Sequence, residues 1–171
     1  MVGQLAPSES TVIRSYPELA RELANMISNA RTEIYLASRY YEPAVGSKLL
    51  AKFAEGVAIH VIDGNSSGVS FEERIRTASA YDSKNRGLIL KLLDSPDAII
   101  RVRRLDYSFI VVDGKYCGFE LIDPANPDDF NCALRYDDSE LAEVLIHTFQ
   151  NLASVARPGN ATPKVETKIE Q

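Results

Sequence analysis

Residues 106–120 read DYSFIVVDGKYCGFE. Phe109, Ile110, Val111 and Val112 form a short run of β-branched and aromatic residues, and Tyr116–Ile122 can return beside it. Between the two lies Asp113-Gly114, which suits a type I′ turn because both central residues of that turn need positive φ. The stretch therefore predicts a β-hairpin, with Asp113 as a turn residue. Tyr107, Phe109 and Val111 fall on one side of the first strand, and Ser108, Ile110 and Val112 on the other. Both sides are apolar beyond Ser108. Such a strand is expected to be buried on both faces, inside an α/β sheet that carries helices above and below.

Outward from the hairpin, the chain supplies the rest of that sheet. Ile99–Leu105 (IIRVRRL) predicts the strand before it and Asn131–Tyr136 the strand after it. Asp138 or Ser139 caps a final helix to about Val155, with Leu141, Leu145, Phe149 and Leu152 inward. Upstream, Ser15-Tyr16-Pro17-Glu18 opens a helix whose Leu19, Leu23, Met26, Ile27 and Ala30 share one face. Thr32–Ser38 is a strand and Pro43–Glu55 a helix. Gly56 stops that helix, and Val57–Ile62 is the next strand, predicting a parallel crossover. Helical segments near 71–78 and 83–93 follow. The order β-α-β-α-β-β-β-α predicts a mixed sheet over residues 15–156. Residues 1–14 are expected to be an extended arm, and 157–171 a disordered tail of Pro, Gly, Asn and alternating charge.

The chain has 171 residues, enough for one domain with a full core. Its formal net charge of -5 weighs against nucleic-acid binding by this chain alone, since phosphate contacts need a cationic surface. Cys117 and Cys132 read as buried free thiols. No Gly-rich phosphate loop, paired-cysteine metal site or nucleophile elbow occurs, so no cofactor or metal is expected. MVGQLAPSES is not a signal peptide, and no apolar run approaches membrane-spanning length. A cytoplasmic location without membrane contact is the resulting expectation.

An apolar strand closing on Val112-Asp113-Gly114, followed by a strand with a glycine, resembles the phospholipase D-like domain. Enzymes of that family carry a His, one residue, a Lys, four residues and an Asp at this point. Counting back from Asp113, Ser108 stands at the Lys position and Asp106 at the His position. Only the Asp matches. The resemblance implies the fold of a phospholipase D-like half and argues against its chemistry. Neither His60, in VAIHVID, nor His147, in the final helix, has a Lys two residues on. More narrowly, EIYLASRYY, the strand after Glu55-Gly56-Val57, and PDDF and ALRYDD before the final helix resemble the effector domain of archaeal transcription regulators. These are the TrmB-type and methanogenesis-regulator families, in which a winged-helix domain precedes the sheet domain.

Ligands of open α/β sheets gather beyond the carboxyl ends of the parallel strands. Arg39 and Tyr40 leave the first strand there, Asn65 the second, and Arg103 the third. The hairpin adds Asp106, Ser108 and Glu120. Guanidinium groups favour an anion and tyrosines a flat polar body, so the expected ligand is a small polar metabolite with an anionic group. Each residue also has a structural explanation. Arg39 and Tyr40 can pack over the sheet edge, Arg101 and Arg103 can face solvent, and Asp63 and Asp106 can serve turns. The expectation is a non-catalytic, ligand-sensing and homodimerising regulator domain that reaches DNA only through a winged helix absent from this chain. A phosphodiester hydrolase with substituted residues and a ligand-free dimer scaffold are the alternatives.

Overall fold

The computed structural model describes residues 10–64, 69–80, 86–95 and 98–156. The strands are β1 (Ser10–Ile13), β2 (Glu33–Ser38), β3 (Ala58–Asp63), β4 (Ile99–Arg101), β5 (Phe109–Val112), β6 (Tyr116–Leu121) and β7 (Cys132–Asp137). The helices are α1 (Tyr16–Asn29), α2 (Pro43–Ala54), α3 (Phe71–Ala80), α4 (Arg86–Asp94) and α5 (Ser139–Ala156). The strands form one mixed sheet in the order β1-β7-β6-β5-β2-β3-β4. β2, β3 and β4 run parallel, and β5, β6, β7 and β1 join by antiparallel pairings.

The hairpin strand β5 is the middle strand of that order, and all of its residues are buried. Ile110 and Val112 join Ile34, Leu36, Val61 and Leu49 in a core under α1, α2, α3 and α4. Phe109 and Val111 join Ala37, Ile62, Cys117 and Phe149 in a second core under α5. Two-sided burial is the reason the β5 sequence lacks polar alternation. Asp113 and Gly114 have φ of 53° and 62°, as the type I′ turn requires, and Lys115 N–H closes it on the Val112 carbonyl.

Helix ends follow local chemistry. Ser15 Oγ accepts the Glu18 N–H at the start of α1, and Asp138 Oδ1 accepts the N–H groups of Glu140 and Leu141 before α5. Gly56 ends α2 at φ 89°.

Two expectations change. Residues 10–13 are not a free arm: they pair with β7, and Ile13 is buried beneath α1. The third parallel strand stops at Arg101 instead of reaching Leu105. Its only neighbour among the described residues is β3, whose Asp63 carbonyl takes the last ladder bond from Val102 N–H. Beyond that bond no further strand pairing is present among the described residues. Cys117 is buried, whereas Cys132 is only partly so. The tail from residue 157 lies outside the described residues.

Candidate functional site

Alternation along β6 sends Cys117 and Phe119 toward α5 and Glu120 toward α1. Glu120 is 5% exposed. A carboxylate taken out of water is costly unless donors replace the lost hydration. Here Tyr40 Oη donates to Oε1 at 2.6 Å, and Ser108 N–H donates to Oε2 at 3.1 Å. The Arg39 guanidinium lies 3.5 Å from Oε2 and also donates to the Pro127 carbonyl. Ser108 Oγ in turn accepts the Arg39 N–H at 3.1 Å. Ser38 Oγ accepts the Tyr40 N–H and donates to the Tyr40 carbonyl. Thus Arg39, Tyr40, Ser108 and Glu120 meet at the carboxyl end of β2 as one polar cluster.

The cluster is electrostatically settled. Burial raises the Tyr40 phenol well above its ordinary value; its hydrogen bond to Glu120 and that carboxylate's charge add to the rise, and Arg39 opposes it. Tyr40 therefore stays protonated and acts as a donor. Its ring meets the Tyr16 ring edge-on at 5.5 Å, and Tyr16 meets Phe130 in the same way at 6.1 Å. Tyr16 is also raised, first by burial and then by Glu42. Between α1 and the sheet, next to Glu120, lies a cavity of about 50 Å³ walled largely by apolar groups, including Leu19, Leu23, Leu36 and Ile110. A water needs roughly 10–15 Å³ of such space, so the cavity matches a few waters or a small apolar group.

The remaining predicted residues lie elsewhere. Asp106 is exposed and pairs with Arg104 at 3.2 Å. Arg103 is exposed and lines a separate groove against α5. Both departures have one cause: residues 102–108 are not a strand, so period-two alternation does not place them. Asn65 lies outside the described residues. Asp63 is 4% exposed at the end of β3. His60 stacks on Tyr35 at 4.6 Å beside Phe149, and His147 on the outside of α5 contacts Asn151. Among the described residues, no group of three His, Cys, Asp or Glu side chains is placed to hold a metal ion.

Asp113 does more than shape its turn. Its carboxylate accepts the N–H groups of Arg31, Thr32 and Glu33 and the Thr32 hydroxyl, at 2.8–3.2 Å. Burial alone would raise its pKa; the bonds from Thr32, Glu33 and Arg31 together outweigh burial and hold the carboxyl below its usual value. The hairpin tip is thereby fastened to the entry of β2. The sequence offers no local signal for this, because the partners lie about 80 positions earlier.

No protein-family model matches the chain, and no curated protein matches it in sequence. Solved structures do match in fold. TrmBL2, described as an archaeal chromatin protein with a novel mode of DNA binding, superposes with a TM-score of 0.66 at 14% identity, over 91% of this chain and 56% of that one. This chain thus spans little more than half the length of TrmBL2. Nuc, a phospholipase D family member from Salmonella typhimurium, matches with a TM-score of 0.60 at 15% identity, over 88% of this chain and 97% of that one. NucT from Helicobacter pylori gives a TM-score of 0.60 at 13% identity, over 86% and 96%. The mixed sheet with helices on both faces is the phospholipase D-like fold. No helix among the described residues is long and apolar enough to cross a membrane.

Proposed function

We propose that this chain is a non-catalytic regulatory domain on the phospholipase D-like fold. In this reading it senses a small polar ligand and pairs with a second copy, and DNA contact is made by a separate winged-helix domain. The observation that carries the non-catalytic part is the fate of two positions. Asp106, at the His position of the resemblance, is exposed and paired with Arg104. Ser108, at the Lys position, has its hydroxyl committed to the Arg39 N–H and its own N–H to Glu120. Cleavage of the family's type needs an imidazole nucleophile and cations on the phosphate. Glu120 is instead an anion at the middle of the cluster. The likeness to TrmBL2 supports a regulatory role, by analogy of fold.

The ligand reading narrows to Arg39 and Tyr40. An anionic group entering here would take the Arg39 guanidinium over from Glu120. The match over nearly the whole of NucT and of Nuc, a phospholipase D family member, keeps a hydrolase with substituted residues as the second reading. Incubation with bis(p-nitrophenyl) phosphate separates the two. We expect release of nitrophenol no faster than the blank. Turnover that disappears in Asp106→Ala, Ser108→Ala or His60→Ala would overturn the non-catalytic reading.

A further inference from the structure

Arg101, Val102, Arg103 and Arg104 face the last turns of α5 across an open groove of about 670 Å³. Arg101 and Arg103 are exposed, and neither has an ion pair among the described residues. Arg104 is paired only with the exposed Asp106. The far wall includes Leu152 and Val155, and Val155 is 79% exposed. Among the described residues, no acidic side chain lines the groove. Two arginines without an ion pair among the described residues, on a chain of net charge -5, concentrate positive potential at this one place.

The lining selects among anions. Single-stranded nucleic acid is held by stacking on aromatic rings, and none of the described residues lining the groove is aromatic. Duplex DNA needs cations spread along many phosphates, whereas these are confined to RVRR. A small anion would leave the Val102, Leu152 and Val155 surface wet. A peptide carrying both carboxylates and apolar side chains satisfies both walls at once. We infer that this groove docks a short acidic, partly apolar segment of a partner protein, with carboxylates on Arg101 and Arg103 and an apolar side chain over Val102, Leu152 and Val155. The inference is independent of the Glu120 cluster and of the regulatory reading.

The test is fluorescence anisotropy with the full chain and a short labelled peptide of glutamate and leucine, its leucines one helical turn apart. A poly-glutamate peptide of equal length and a labelled DNA duplex serve as comparisons at physiological salt. The glutamate–leucine peptide is expected to bind more tightly than either. R101E/R103E should weaken it by at least about ten-fold, and V155S by roughly three- to five-fold. Both substitutions are at exposed positions, and thermal melts like that of the wild type are expected. Equal binding of poly-glutamate or duplex would overturn the inference in favour of a general polyanion surface. Unchanged affinity in R101E/R103E would overturn it outright. Tighter peptide binding by E166K/E170K would overturn the partner assignment, making the chain's own last residues the occupant.

Discussion

At the scale of single residues, two carboxylates do opposite kinds of work. Asp113 is partly exposed and collects mainly backbone N–H groups; Glu120 is buried and collects the Tyr40 and Arg39 side chains together with the Ser108 N–H. Asp113 titrates below its ordinary value near 3.8, so the folded state binds its proton less readily than the unfolded chain. Its contribution to stability is therefore present above the unfolded value and is lost as pH falls through the folded one. Urea unfolding between pH 7 and pH 3 should show the wild type losing more stability than Asp113→Asn, which keeps the turn and cannot titrate. Asp113→Gly also accepts the positive φ and separates turn from staple; we expect it to cost about 1 kcal/mol at neutral pH after allowance for solvent screening. A D113G chain as stable as the wild type would mean the staple carries no weight. At Glu120, Tyr40→Phe removes a donor to a buried charge and should cost about 2 kcal/mol. In a cycle with Glu120→Gln the two losses should fall short of additivity, since the first removes the bond and the second strips it of its charge. Strict additivity in chemical denaturation would show that Tyr40 acts only through packing.

At the scale of elements, α5 is the one helix among the described residues on its face of the sheet. Phe149 is 3% exposed, meets Tyr35 edge-on at 5.2 Å and lies 6.4 Å from His60. Phe149→Ala should cost about 3–5 kcal/mol, the range for a buried aromatic, and lower the melting temperature by roughly 10 °C. A loss under about 1 kcal/mol would mean that the face recloses around the gap. The same scale explains what could be read from the chain in advance. β5 was legible because two-sided burial writes an unbroken apolar run. α5 was legible because Leu141, Leu145, Phe149 and Leu152 repeat at helical spacing. Arg39, Tyr40, Ser108 and Glu120 were found together because strand ends of an open sheet converge. Arg103 and Asp106 were misplaced because alternation was carried past Arg101, and a strand ends where its neighbour's backbone ends, which is not local information. β1 escaped for the same reason: Ser10-Thr11-Val12-Ile13 is a strand because β7 lies beside it. The Asp113 staple depends on contacts formed only after the chain has folded back on itself.

At the scale of the whole molecule, the two faces of the sheet are unequally covered. Seven strands about 4.8 Å apart span roughly 29 Å, whereas one helix with its side chains is about 10–12 Å across. Among the described residues, four helices cover one face and α5 alone covers the other, where it packs on β2, β4, β5 and β6. The β1–β7 flank of that face lies beyond its principal contacts. There Val12, Leu134 and Phe119 fall in one register row, with Cys132 and Leu121 in the next. Val12 is 42% exposed and Leu121 39% exposed. An apolar flank beside an open edge strand invites further pairing unless something covers it. A second copy related by a two-fold axis is the commonest solution for a small oligomer. We therefore expect a homodimer formed through this flank, and light scattering at micromolar concentration should give twice the chain mass. V12D/L121D places a carboxylate on each side of the axis, leaves both cores untouched, and should yield a monomer with the wild-type circular dichroism spectrum. A wild-type monomer at that concentration would remove the dimer. A V12D/L121D dimer would move the interface to another face of the molecule.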